Sequence, residues 1–214
     1  MGLRDAARRR IGGQLANPHG RFGRLVARRL NALNRSLIEA AIETLQLKPG
    51  DTAADLGFGG GLGLRLLLDR VGGAGEVHGV DRSDVALAGA RGSYSAEIAA
   101  GRLSLHDASM TALPLAAGSV DGIVTTNTIY FLDDAGLTAA LGECARVLRR
   151  SGRLAVGISD PEAMARNPLV GDGFRIRPLD DVVTAAAAAG LRLAEHHRPA
   201  DNGFAPHLLV FAAQ

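Results

Sequence analysis

An α/β fold is what this sequence predicts: a doubly wound, mostly parallel sheet of seven strands with helices on both faces. Three observations predict it. Short apolar runs alternate with helix-like stretches from residue 49 onward, and the strand-like run that starts at Thr52 closes on Asp55 and leads through a glycine cluster into a leucine-rich helix. The next strand-like run likewise closes on an acid, Asp81.

Along the chain, residues 1–20 read as irregular, broken by Gly12-Gly13 and by Asn17-Pro18-His19-Gly20. From about Arg21 to Leu47, Phe22, Leu25, Val26, Leu30, Leu33, Leu37, Ile38, Ala41, Ile42 and Leu45 recur at threes and fours. That is the period of one long amphipathic helix or two abutting ones. Residues 1–48 are thus expected to be a helical arm or cap, and 49–214 the core, with Lys48-Pro49-Gly50-Asp51 between them. The first helix of the core is expected over Leu62 to Val71, the second strand over Glu76 to Asp81, and a helix over Ser83 to Ala100, with Ser83 as N-cap. A third strand starts at Leu103, and a fourth starts at Ser119 and runs out at Thr125 to Asn127. The helix opened by Asp133-Asp134 should reach Arg149, with a tight turn over Arg150 to Arg153 and a fifth strand over Leu154 to Ser159. A long connection, Asp160 to Arg177, precedes a helix over Pro178 to Gly190. Leu191 to His197 and His207 to Ala213 then form an antiparallel hairpin at the sheet edge, around Asp201-Asn202-Gly203.

The glycine cluster is a binding site. Glycines at 57, 59, 60 and 61 let the chain turn at positive φ, bring bare backbone against a ligand and aim the first N–H groups of the next helix at it. A dinucleotide fingerprint counted from Gly57 would put its third glycine where Leu62 stands, so pyrophosphate recognition is disfavoured. Asp81, ending the second strand beside this turn, can accept both hydroxyls of a ribose, which suits nicotinamide and adenosyl cofactors alike.

Asp55-Leu56-Gly57-Phe58-Gly59-Gly60-Gly61 matches D-x-G-x-G-x-G, and here the chain resembles the class I S-adenosylmethionine-dependent methyltransferases over most of residues 50–155. Within them it is similar to the compact ubiquinone- and menaquinone-biosynthesis group and to natural-product enzymes, on Leu113-Pro114 and on Asn127-Thr128-Ile129-Tyr130-Phe131. Phe58 and Gly60 depart from the Cys and Pro often found at those loop positions. The resemblance implies the strand order 3-2-1-4-5-7-6 with the last strand antiparallel, S-adenosylmethionine as cofactor and S-adenosylhomocysteine as its product. It implies that Asp55, Gly57, Phe58, Gly59 and Gly61 hold the amino acid end, with Asp55 toward the ammonium group. Asp81 and Arg82 go to the ribose. Asp107, Ala108 and Ser109 go to the adenine, a carboxylate for the exocyclic amine and a backbone N–H for a ring nitrogen. Beyond the carboxyl end of the fourth strand, Thr126, Asn127, Tyr130 and Phe131 fall beside the methionine end and the incoming substrate, and Met110 either packs on the adenine or belongs to the core. An N-terminal helical piece lying over the cofactor would bring Gln14, His19, Asn31 and Asn34 to the pocket, unless they are caps and surface residues. Such an enzyme works mainly by alignment, worth about 7–11 kcal/mol. For a phenolic acceptor, His19 and Tyr130 are the candidate bases.

Composition narrows the rest. The chain is 47% hydrophobic, has no Trp, and carries 23 Arg against one Lys. Its single cysteine, Cys144, excludes a disulfide framework and a cysteine-based zinc site and falls on the apolar face of its helix. No apolar stretch follows the basic Met1 to Arg10 and none approaches a membrane span, so a cytoplasmic protein is expected. Residues 1–35 hold nine arginines against the one acid Asp5. They read as a solvated helix face, because Phe22 is the only aromatic there and nucleic-acid stacking needs more. His106 is assigned to packing. His196, His197 and His207 suggest a metal, but neighbours on a strand point to opposite faces and no carboxylate motif completes a set, so none is expected.

The expected partner is a small, partly apolar molecule methylated on O, N or C, with the protein a monomer or homodimer. Three other readings stand beside it: the same fold using its bound cofactor for other chemistry, a nicotinamide-dependent oxidoreductase, and a noncatalytic nucleic-acid-binding protein.

Overall fold

The computed structural model describes residues 33–166, 170, 173–200 and 203–213. Seven strands form one sheet: β1 (Thr52–Leu56), β2 (Glu76–Asp81), β3 (Leu103–Asp107), β4 (Val120–Thr126), β5 (Leu148–Ile158), β6 (Leu191–His197) and β7 (His207–Ala213). Their order is β3-β2-β1-β4-β5-β7-β6. The first five pair in parallel, and β7 is antiparallel to both β5 and β6. The sheet is therefore the one the sequence implies, edge hairpin included. Because the strand order reverses between β1 and β4, a crevice opens beyond their carboxyl ends, where open α/β sheets bind ligands.

The central strands are buried on both faces, and the period of two deals their residues alternately to two cores. Ala53, Val124 and Leu208 join one core; their neighbours Ala54, Ile123 and Leu209 join the other. The first is covered by α1 (Arg35–Thr44), α2 (Leu62–Val71) and α3 (Asp84–Ser93). The second lies under α5 (Asp134–Val147) and α7 (Leu179–Ala188). α1 buries Leu37, Ile38, Ala41 and Ile42 in the same core as α2, so the described end of the N-terminal segment is part of the packed molecule. No helix among the described residues is long and apolar enough to cross a membrane.

The structure moves several expected boundaries. Of the helix expected over Arg21 to Leu47, α1 is the described part; residues 1–32 lie outside the described ones. The helix expected over Ser83 to Ala100 is two, α3 and α4 (Ser95–Ala99), parted at Tyr94, whose φ of −122° leaves the helical region while its hydroxyl donates to the Gly61 carbonyl at 2.8 Å. A tertiary contact there overrides local propensity. α5 stops at Val147 and β5 begins at Leu148, six residues before the expected Leu154. Val120 pairs with Leu148 but Gly122 with Arg153, so residues 149–152 bulge from the ladder where a separate turn was expected. The connection after β5 contains a short helix, α6 (Pro161–Arg166), with the Ala163 N–H donating to Asp160 Oδ1 at 3.0 Å.

Candidate active site

The site is built where β1 and β4 end. Gly57 leaves β1 at φ 74° and donates its N–H to the Val80 carbonyl at 2.7 Å. A Cβ at this position would lie 2.3 Å from Thr128 Cγ2, so only glycine lets the loop close on the exit of β4. Thr125 Oγ1 donates to the Leu56 carbonyl at 2.9 Å, which leaves Thr128 Oγ1 to donate to Thr125. The two strand ends are thus stitched together. Asn127 takes φ 57° with its N–H on the Gly157 carbonyl at 2.8 Å, and its Oδ1 accepts from Ser159 Oγ at 3.4 Å. Left-handed backbone in a residue other than glycine is strained, and it turns position 127 into the crevice.

Two carboxylates face the loop. Asp55 is buried, and among the described residues no hydrogen-bond donor is paired with its side chain. Burial first, and the charge of Asp81 second, push its carboxyl up to about 8. Asp81 accepts the Gly59 N–H on Oδ2 and the Ser83 N–H on Oδ1, each at 2.9 Å. Burial raises its carboxyl as well; the backbone N–H groups work against that, and Asp107 adds to it. This is a place that favours a cation.

The acids stand at the side of a cleft of about 370 Å³, the size of a small-ligand site. Of the residues expected to bind a cofactor, Asp55, Gly57, Phe58, Gly59, Asp81, Arg82, Ala108, Ser109, Thr126 and Asn127 line it together, drawn from the ends of β1 to β4. Asn34 and Met110 line it too, and Met110 also packs on the core. Two expected residues are placed differently. Gly61 is behind the wall, leading into α2 at φ 82° with its carbonyl taken by Tyr94. Asp107, in register with Asp81, is exposed at the rim.

Tyr130 does not serve as expected. It is buried, it is not on the lining, and its hydroxyl oxygen accepts the Ser159 N–H at 2.6 Å. That bond ties the exit of β4 to that of β5, and burial pushes the phenol up to about 12. His19, Gln14 and Asn31 lie outside the described residues.

Tyr94 and Gly63 were not singled out in the sequence, yet both shape the site. Tyr94 lines the cleft, pins the loop through Gly61 and lies under Arg65, whose guanidinium carbon is 5.2 Å from the ring centroid. Gly63, in the first turn of α2, lies flat against the Asp55 carboxylate. A signal for the first was the scarcity of Tyr, two in the whole chain. The described histidines stay apart from the cleft. His106 pairs with His78 at 3.3 Å. His196, His207 and Asp160 form a chain of contacts at 2.8 and 3.2 Å, rather than converging on a point.

Residues 53–152, the stretch that carries all four strand ends, match the protein family described as a methyltransferase domain. That stretch is 100 of the chain's 214 residues. A structure of an S-adenosylmethionine-dependent methyltransferase from Aquifex aeolicus shares the fold of this chain, with a TM-score of 0.72 over 89% of this chain and 98% of that one at 20% identity. An O-methyltransferase of Pyrenophora dematioidea is 34% identical over 97 residues, 42% of this chain and 36% of that protein. An uncharacterized 37.1 kDa protein in transposon TN4556 of Streptomyces fradiae is 34% identical over 130 residues, 61% of this chain and 36% of that protein. The chain thus spans about a third of the length of these curated relatives.

Proposed function

We propose that this protein transfers a methyl group from S-adenosylmethionine to a small, partly apolar molecule, leaving S-adenosylhomocysteine. The observation that carries this reading is Asp55: a buried carboxylate with no donor paired to it among the described residues, facing a cleft beside a second acid. Left alone, such a group is costly. An ammonium group brought to it supplies both the missing donors and the missing charge.

The rest of the wall fits the same ligand. Asp81 holds a backbone N–H on each oxygen, and each oxygen keeps a second lone pair for a ribose hydroxyl. Ala108, Ser109 and Met110 offer a flat wall to an adenine, with the Asp107 carboxylate at the rim for its exocyclic amine. Arg82 stands beside the ribose position, and Thr126 and Asn127 close the methionine end. The cofactor brings an activated methyl on a sulfonium, already a good leaving group. The chain's part is to align an acceptor with that methyl and exclude water, worth about 7–11 kcal/mol. The ionisable groups of the described lining, Asp55, Asp81, Arg82 and Tyr94, all stand on the cofactor's side. If the acceptor is a phenol, His19 is the base we assign. We place the protein in the cytoplasm, as a monomer or homodimer acting on free small molecules rather than nucleic acid.

The test is titration calorimetry with S-adenosylmethionine, S-adenosylhomocysteine and NADH, followed by methyl-labelled cofactor offered with phenols, amines and carbon acids. The adenosyl ligands should bind and NADH should not, with Asp81→Ala abolishing the heat. Label should then pass to one acceptor class. Binding of NADH alone would replace this reading by hydride transfer; acceptor turnover with all label left on the cofactor would replace it by chemistry other than methyl transfer.

A further inference from the structure

One part of the cleft's lining is backed by a segment far from it in sequence. Phe131 and Leu132, at the end of the 3-10 turn Ile129–Phe131, line the cleft. Behind them runs the last part of the β5–α7 connection. The Arg175 N–H donates to the Tyr130 carbonyl at 2.7 Å. The Arg177 side chain is 8% exposed, and its guanidinium donates to the Ile129 carbonyl at 3.2 Å, to the Leu132 carbonyl, and to Asp134 Oδ1 at 3.0 and 2.9 Å from Nε and Nη2. One planar cation therefore joins the turn, the start of α5 and the connection. Lysine, a single point charge, cannot reproduce that fork.

The same segment supplies Phe174, whose ring centroid is 4.9 Å from Phe131 and 6.2 Å from Tyr130. Phe131 still keeps 39% of its surface exposed, more than other large apolar residues among the described ones, Leu33 apart. The lining also holds the apolar Ile38, Met110 and Leu132, while its charged residues Asp55, Asp81 and Arg82 come from the ends of β1 and β2. A ring whose backbone is latched from behind and whose face is left to the cleft is prepared for a second ring.

We propose that Phe131, backed by Phe174 and latched by Arg177, receives the flat aromatic part of the acceptor. Phe131 is then the specificity-determining residue and Arg177 a positioning residue. The proposal rests on the methyl-transfer reading for the word acceptor, while the latch itself rests on geometry alone.

The experiment uses 2-naphthol, and its saturated, non-planar counterpart 2-decalol, with the full chain saturated by S-adenosylhomocysteine. Saturation-transfer NMR should show 2-naphthol bound in preference to 2-decalol. Phe131→Ala and Arg177→Lys should each weaken 2-naphthol by about three- to tenfold, the worth of one aromatic contact, while Arg177→Lys keeps its affinity for S-adenosylhomocysteine. A second readout needs no ligand. The chain has no Trp, so Phe131→Trp places a lone indole at the cleft, and adding Arg177→Lys should lower its anisotropy and raise its quenching by acrylamide. Should Arg177→Lys fail to fold, Asp134→Asn removes the ionic arm and should act in the same direction. Equal binding of the two alcohols, no binding of 2-naphthol, or variants without effect would overturn the aromatic face. An indole equally rigid without Arg177 would overturn the latch. Failure of S-adenosylhomocysteine to bind would instead strike the methyl-transfer reading, and the indole would still decide the latch.

Discussion

The Asp55 carboxylate lies against the bare backbone of Gly63: a Cβ at position 63 would sit 2.1 Å from Asp55 Oδ2 and 3.0 Å from its Cγ. The absent methyl is what lets α2 start directly over an acidic side chain. The acid at the end of β1 and the glycine one turn into the next helix are one device.

Gly63→Ala tests it. In a helix this exchange would ordinarily stabilise by about 1 kcal/mol. Here the short Asp55 side chain must move, and overpacking of this kind costs about 1–3 kcal/mol. A lower thermal midpoint, with S-adenosylhomocysteine affinity reduced more than for a surface Gly→Ala such as Gly142→Ala, is the expected outcome of calorimetry.

Stability should depend on pH through Asp55. Its folded carboxyl, pushed up to about 8, holds a proton that the unfolded chain, near 3.8, gives up. The contribution is present in full below the unfolded value and is lost as pH rises through about 8, at about 1.4 kcal/mol per unit of difference. The ligand-free protein should therefore melt higher at pH 5 than at pH 9. Asp55→Asn should flatten that slope, leaving the smaller part owed to Asp81, raised in the same direction. An unchanged slope would show that Asp55 is already ionised in the folded state.

Cation binding should release that proton. Calorimetry of S-adenosylhomocysteine near pH 7 in buffers of different ionisation enthalpy should show proton release by the wild type and none by Asp55→Asn. The variant should also bind about ten- to a hundredfold more weakly, since a hydrogen bond to a charged group is worth about 1.5–3 kcal/mol.

Tyr94→Phe removes the hydroxyl that holds the Gly61 carbonyl but keeps the ring under Arg65. A loss of about 1 kcal/mol is expected, read as a several-fold rise in the Kd of S-adenosylhomocysteine. Tyr94→Ala should cost about 3–5 kcal/mol of stability as well, measured by chemical denaturation.

Tyr130→Phe should act on stability and not on chemistry. It strands the Ser159 N–H, a loss of about 1–3 kcal/mol, while the pH profile of turnover keeps its shape. An alkaline limb that disappears with Tyr130→Phe would restore the phenol as a base.

Much of this was legible in the sequence because it is local. Glycine freedom, an acid closing a strand and a period of two or three to four residues are written over a few positions, and they placed the loop, Asp55, Asp81 and the strand ends on one crevice. The boundaries that failed are those set from a distance. Tyr94 breaks a helix because Gly61 is within reach, and the residues after Val147 join β5 because β4 lies beside them.

The sequence by itself determined the alternating strands and helices, the edge hairpin and the glycine loop that faces the cleft, since alternation and turn chemistry act along the chain. Only the tertiary structure decided that Tyr130 is a tether, that Gly63 makes room for a carboxylate and that Arg177 latches the far wall. Those roles are fixed by which groups meet across 29, 8 and 45 positions, and burial and hydrogen bonding act on what touches, whatever its separation along the chain.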